Sequence, residues 1–353
     1  MRSPIPRLAT LSGASAVSKT LPETFAFSTV APYNGTSFAP VMSPNNTQTS
    51  RGLYRFAVAT SCCTILLLMA GALVTSNNAA ESVPDWPLAY GRLIPPLIGG
   101  IKFEYTHRVI AGVVSILTLI LAVWLAAAER RPLAKRLGWT ALGLVLAQGA
   151  LGGFRVLEGV PSISATAHAT LAQIFFIIVV GLSLYLSPWW QSDLAPLGDR
   201  GSPRLRALAL WMTGSILVQL ILGAAFRHGA FGIVPHLIGA GVVTAFIIWA
   251  GVAAKRRFRQ VRDLRRATIL LHSFLGIQIL LGGAAWWAVT AAADAAQPVL
   301  LYVVLEVAHV LGGALTLAAA VIFTLTCFRL IPSAAAVGAG SAAVKQSPER
   351  AGA

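Results

Sequence analysis

Eight apolar runs dominate the chain, at about 56–76, 104–128, 137–155, 167–188, 208–226, 234–254, 267–290 and 302–328. A bilayer crossing needs about 20 apolar residues at 1.5 Å of rise each, so every run is long enough to span, some with tilt or polar ends. Lipid offers no water to free peptide groups. A crossing segment is therefore a helix or part of a closed barrel, and runs of this length specify helices. Composition agrees: 56% of the 353 residues are hydrophobic and 11% are charged. A soluble domain carries about 25% charged residues. An ordinary cytosolic protein is thereby excluded, and so is a disordered one, because apolar surface is abundant. Cys62, Cys63 and Cys327 are too few for a disulfide scaffold, and they read as small apolar side chains.

The formal net charge of +15 is chiefly a topology signal. Eight spans put both termini on one side. Of the 27 basic residues, 22 fall in the N-terminal segment, in 129–136, 189–207 and 255–266, and in the tail from Arg329. Only Arg92, Lys102, Arg108, Arg155 and Arg227 fall on the other side. The positive-inside rule then predicts cytoplasmic termini in a multi-pass protein of the bacterial cytoplasmic membrane, with the mitochondrial inner membrane the lesser alternative. No soluble basic segment is large enough for a nucleic-acid domain, so the bilayer is the expected partner and nucleic acid is not.

The expected organisation has five parts. Residues 1–50 form a disordered or presequence-like extension rich in Ser, Thr, Pro and Asn. Residues 51–190 form a first four-helix unit, 191–207 a cytoplasmic linker, 208–329 a second four-helix unit, and 330–353 a disordered tail. The fold class is thus all-α integral membrane, with eight transmembrane helices as two pseudo-symmetric four-helix bundles.

The parse into halves rests on an internal repeat. Three odd-numbered spans carry Gln followed by Gly four positions on: Gln148 and Gly152, Gln219 and Gly223, Gln278 and Gly282. Small residues of this kind let helices approach closely. Each even-numbered span has a His near its outer end: His107, His168, His236 and His309. One intramembrane His is often only an interhelical hydrogen bonder. Four at equivalent depth point to function, because ionisable groups in lipid are costly. An imidazole gives iron one lone pair and needs a partner for its other nitrogen. Two on facing helices can clasp a haem, which suggests His107 with His168 and His236 with His309. Zinc fits less well, since a closed site wants four clustered ligands. His228, at the outer end of span 5, either meets a propionate or faces water. His272, at the inner end of span 7, has a packing or hydrogen-bonding role.

Glu104 precedes His107 by three residues and shares its helix face. It is either a helix-cap or supporting group, or a carboxylate that moves a proton beside a reacting haem edge. Glu306 has the same spacing from His309. The longest outer loop, about 77–103, contains Trp86 and Tyr90, suited to an interface. Pro84, Pro87, Pro95 and Pro96 keep it stiff and non-helical. Arg92 and Lys102 are candidate propionate partners. The loop adjoins Glu104 and His107, which marks the first half as reactive.

These residues resemble the haem A synthase family over about 55–328. Thr75 to Pro96, with PDWPLAYGRLIPP, resembles the family's first outer loop, and FEYTHR at Phe103–Arg108 its helix 2 signature. QGALGG, HATLAQ from His168 and QLILGAAFRH resemble later helices, and His236 and His309 fall where the family has its second pair. The resemblance implies oxidation of the C8 methyl of haem O, through an alcohol and a gem-diol, to the formyl group of haem A for terminal oxidases. It implies Glu104, His107 and His168 as catalytic residues. His236 and His309 would bind haem b, with Arg92, Lys102, Arg108 and Arg227 as further haem-binding residues, and all four histidines would be iron ligands. It also implies a haem O synthase as supplier, an electron donor not yet identified, and the terminal oxidase assembly machinery as partners; homo-oligomerisation stays open.

The chain departs from the family pattern in three places. Residues 77–103 contain no Cys, which fits a subtype without the outer-loop cysteine pair. Span 6 reads PHLIGAG, without the Arg that follows His107, and the loop before it is short. The competing reading is a dihaem electron carrier between a quinol and a partner. It needs both His pairs but neither Glu104 nor a way in for substrate. A transporter would instead place its site at the midplane, between broken helices.

Overall fold

A computed structural model describes residues 49–332 apart from 158, 160, 161 and 297. Residues 1–48 of the expected extension over 1–50, and 333–353 of the expected tail, lie outside the described residues. The described residues form helices: α1 (Arg51–Ser76), α2 (Ile101–Ala128), α3 (Pro132–Leu157), α4 (Ser162–Leu186), the short α5 (Pro188–Gln191), α6 (Leu205–Arg227), α7 (Val234–Arg257), α8 (Arg262–Ala291) and α9 (Leu300–Leu330). Eight of these are long and apolar enough to cross a membrane. The helices run a few residues beyond the apolar runs. Once a helix is nucleated, propagation continues through polar interfacial residues until a cap or Pro stops it. Ser50 caps α1 by accepting from the Leu53 N–H at 3.2 Å. Pro132 opens α3 and Pro235 lies in the first turn of α7, where a missing N–H costs nothing.

Neighbouring helices close two rings. α1 packs on α2, α2 on α3, α3 on α4, and α4 back on α1; α6, α7, α8 and α9 repeat the order. The rings meet where α9 touches α1 and α4, and where α4 touches α6. α4 and α9 are therefore the central helices. α9 has 67% of its most apolar stretch buried, against 11% for α8. Its Gly312, Gly313, Ala314, Ala318, Ala319 and Ala320 permit this, because small side chains let backbones approach. The outer helices turn large apolar residues toward lipid, such as Val109, Val113, Ile116 and Ile120 along one face of α2.

Buried hydroxyls tie the rings in matching register. Ser61 on α1 meets Ser183 on α4 at 2.9 Å, and Thr213 on α6 meets Thr324 on α9 at 2.8 Å. Ser61 stands ten residues before Gly71, as Thr213 does before Gly223; Ser183 stands fifteen after His168, as Thr324 does after His309. Other threonines, such as Thr64, Thr118 and Thr316, return their hydroxyl to the carbonyl four residues back and leave no donor in lipid.

The basic face is stitched by charge. Arg131 donates to Glu129 and to the Tyr185 carbonyl, and lies over the Tyr185 ring at 4.5 Å. Thr49 also donates to Glu129, at 2.7 Å. Burial works against the Glu129 carboxylate. The hydrogen bonds from Arg131 and Thr49 outweigh it and bring the pKa down to about 2.

Candidate functional site

Each of the four outer-end histidines lies against a glycine of the preceding long helix. A Cβ at Gly71 would come within 3.2 Å of the His107 ring, and one at Gly152 within 3.3 Å of His168. For Gly223 against His236 the distance is 2.9 Å, and for Gly282 against His309 it is 3.0 Å. The glycines thus make room for the imidazoles themselves. Gly71 was not legible beforehand, because no Gln precedes it by four residues.

The glutamines hold the same histidines. Gln148 Nε2 donates to the His168 carbonyl at 2.8 Å, Gln219 to that of His236 at 2.9 Å, and Gln278 to that of His309 at 3.0 Å. In the second ring the same Nε2 atoms also lie 3.1 Å from Nδ1 of His236 and of His309. Those two rings face each other with centroids 6.2 Å apart and planes at 84°. A metal-bound imidazole nitrogen sits about 2 Å from a first-row ion, so this spacing suits one ion between two rings.

The first ring is arranged differently. His107 and Arg155 lie within electrostatic range of His168. Nδ1 of both His107 and His168 is buried without a hydrogen-bond partner among the described residues. Unpaired polar atoms in an apolar interior are costly and mark positions where a further group would be accommodated. The second pair is spaced to hold an ion between its rings, and the first pair leaves both Nδ1 atoms open to a further partner.

Above the first pair, Glu104 and Arg108 hold the outer loop. Glu104 is 5% exposed. Its Oε1 lies 2.7 Å from Arg108, and its Oε2 accepts from the Val83 N–H at 3.0 Å. Arg108 also donates to the carbonyls of Asp85, Leu88 and Val83 at 2.7, 2.9 and 3.3 Å. Asp85 accepts from the Gly91 and Tyr90 amides, and the Gly91 bond leads in holding its carboxyl below the usual range. Tyr90 and Gly91 both have positive φ, 55° and 67°, so the tight turn needs Gly at the second position. Trp86 packs on α3 at Gly153, where a Cβ would lie 2.7 Å from its indole. The loop thus roofs the end of the ring that holds His107 and His168.

The remaining basic residues are dispersed. Arg92 and Lys102 are exposed, and Lys102 lies over the Phe103 ring at 4.9 Å. Arg227 crosses from α6 to α1, donating to Ser76 at 2.6 Å and to the Ala72 carbonyl at 3.0 Å. Its Nε lies 2.9 Å from Glu306, close in distance but poorly aligned for a hydrogen bond. Arg155 escaped the sequence reading as a site residue. Its Nε is buried without a partner among the described residues, and Glu104 and Glu81 lie within electrostatic range. His228 ends α6, and His272 donates Nδ1–H to the Thr268 carbonyl at 2.8 Å, packed beside Gly251.

Residues 100–235 match the family model described as cytochrome oxidase assembly protein. The stretch contains Glu104, His107, Arg108 and His168, and stops one residue before His236. The chain is 32% identical over 151 residues to the haem A synthase of Alkalihalophilus pseudofirmus, covering 41% of this chain and 50% of that protein. It is 36% identical over 144 residues to that of Lysinibacillus sphaericus, covering 39% and 46%. A longer match reaches the haem A synthase of Symbiobacterium thermophilum, 24% over 264 residues, covering 66% and 85%. The chain spans about half the length of the first of these curated relatives. The likeness is to the haem A synthase family, and all three relatives are bacterial.

Proposed function

We propose that this chain oxidises the C8 methyl of haem O to a formyl group, yielding haem A by successive hydroxylations. The observation that carries the reading is the pairing of unlike sites. One His pair is spaced and supported for a fixed haem. The other keeps orphaned nitrogens beside a buried carboxylate under a loop. A simple electron carrier needs the first kind twice.

In this reading the rings are pseudo-symmetric four-helix bundles over 51–190 and 208–329, joined by 191–207. The matched register of Ser61, Gly71 and Ser183 with Thr213, Gly223 and Thr324 supports the repeat. His236 and His309 hold a resident haem b, which supplies electron transfer when bound. His107 and His168 bind the substrate haem O. Glu104 is the catalytic carboxylate at the substrate edge, and its bonds to Arg108 and Val83 also close the loop over the site and exclude water. Arg155, whose Nε has no partner among the described residues, and Arg227, already ion-paired with Glu306, are the buried cations assigned to propionates at the two sites. Arg108 is already committed to the loop, and Arg92 and Lys102 would act at the exposed rim. Oxidant, electron donor, haem O supplier and oxidase assembly partners lie outside the chain. The charge distribution supports cytoplasmic termini in a bacterial membrane.

The test is expression with and without haem O, followed by separation of the extracted haems. Haem A or its alcohol intermediate is expected only when haem O is supplied. Haem b alone under both conditions overturns the proposal. Glu104→Gln should retain haem and lose conversion; full conversion removes Glu104 from the catalytic role.

A further inference from the structure

Beyond the roof, the outer loop carries an apolar surface that the rest of the described chain leaves open. Leu93, Ile94, Leu97 and Ile98 lie outside any helix, yet their side chains are 54–80% exposed. Exposed apolar clusters of this kind mark contact with a partner or a membrane. Two glycines bound the segment. Gly91 and Gly99 have φ of 67° and 50°, and a Cβ on either would meet nothing within 4 Å, so the turn and not crowding requires them. Before Gly91 the chain belongs to the roof, where Arg108 and Glu104 hold Val83, Asp85 and Leu88. After it, the Tyr105 hydroxyl ties the Leu93 carbonyl to α2 at 2.6 Å.

That bond fixes where the segment sits. Tyr105 precedes Val109 by four residues, so it continues the lipid-facing row of Val109, Val113, Ile116 and Ile120 outward by one turn. Helical side chains lean toward the N-terminus, so the Tyr105 hydroxyl reaches back toward the first turn of α2. Leu93 therefore stands on the lipid side of that turn, at the outer end of the row. Charge agrees with the position. Residues 86–103 contain no acidic residue, and the exposed Arg92 and Lys102 flank the apolar side chains. Apolar side chains between basic flanks suit the boundary of acyl chains and anionic headgroups. Pro95 and Pro96 remove two N–H groups that would need partners at that depth.

We propose that residues 92–98 are an anchor seated in the interface of the outer leaflet, and that this seat helps to position the roof over His107 and His168. Leu93, Ile94, Leu97 and Ile98 enter the upper acyl chains, while Arg92 and Lys102 stay at the phosphates. The loop is thus held from two sides. Arg108 and Glu104 grip its first half from α2, and the membrane grips its second half. The seat does not depend on what the histidines bind.

The experiment places nitroxide labels by I94C and L97C in a C62S/C63S/C327A background of the full chain. I116C serves as the lipid reference and D193C, in the exposed linker, as the water reference. Each protein is reconstituted in bilayer discs of phosphatidylglycerol and phosphatidylcholine. Collision of the label with oxygen, which concentrates in lipid, is compared with collision with a water-soluble nickel chelate. Labels at 94 and 97 should favour oxygen, at a depth between the two references. Nickel access equal to that at 193 would put the segment in water and overturn the anchor. Protection from both reagents would mean that a protein surface covers it, and would overturn the anchor equally. Hydrogen exchange then tests the link to the roof. I94D/L97D should speed amide exchange over 83–91 several-fold and leave the spanning helices unchanged; unchanged exchange over 83–91 overturns the link. None of these readouts depends on haem, so their failure leaves the proposed function standing.

Discussion

The two histidine pairs share a plan and differ in how firmly it is executed. Around His236 and His309, glycine clearances are 2.9 and 3.0 Å, and both rings have a glutamine at 3.1 Å. Around His107 and His168 the clearances are 3.2 and 3.3 Å, and both Nδ1 atoms lack partners among the described residues. In return the first pair has a roof, because Glu104 and Arg108 collect the loop that the short 228–233 connection cannot supply. The same residue type at matching positions is thus surrounded by different atoms in the two rings.

The largest break in that comparison is ligand removal. H236A or H309A should abolish retention of the resident haem, whereas H107A should keep it; haem content and reduced-minus-oxidised spectra decide, and equal loss in all three would erase the distinction. Next is R108A. It strands a buried carboxylate and releases several loop carbonyls, so the protein should lose about 3–5 kcal/mol. Denaturation in detergent measures this, and a loss under about 1 kcal/mol would mean that the roof is not held by the pair. Smaller effects should separate the glycines. G223A and G282A push a Cβ into their rings and should cost about 1–3 kcal/mol, more than G71A and G152A, in thermal unfolding of the same preparations. The smallest concerns the basic face. Glu129 has a lowered pKa, so its contribution is complete above the ordinary carboxylate range and fades as pH falls toward about 2. The melting temperature of wild type should exceed that of E129Q near neutrality, and the gap should close in acid. A gap that persists unchanged near pH 2 would assign it to packing.

The helices were legible because a bilayer reads hydropathy almost directly, and the observed ends extend past the apolar runs only by interfacial residues such as Arg51 and Arg262. The histidines were legible because ionisable residues stand out in apolar spans. Glu104 stood out for the same reason, but its grip on Val83 and Arg108 did not: a contact over 21 residues of proline-rich loop has no periodicity to announce it. Arg155 looked like an ordinary outer-end cation, since burial of its Nε depends on how α3 sits among its neighbours. Gly71 had no glutamine to flag it.

The sequence alone determined that the chain forms eight apolar helices with charge concentrated on one face, because the energy of placing each residue in lipid or water depends mainly on that residue. It also singled out the side chains proposed here to carry chemistry. Only the tertiary structure decided that α4 and α9 are central and that each outer-end histidine rests in a glycine slot. Those facts depend on which helices touch and in what register, and helix contacts in lipid are set by close packing of small residues, not by hydropathy.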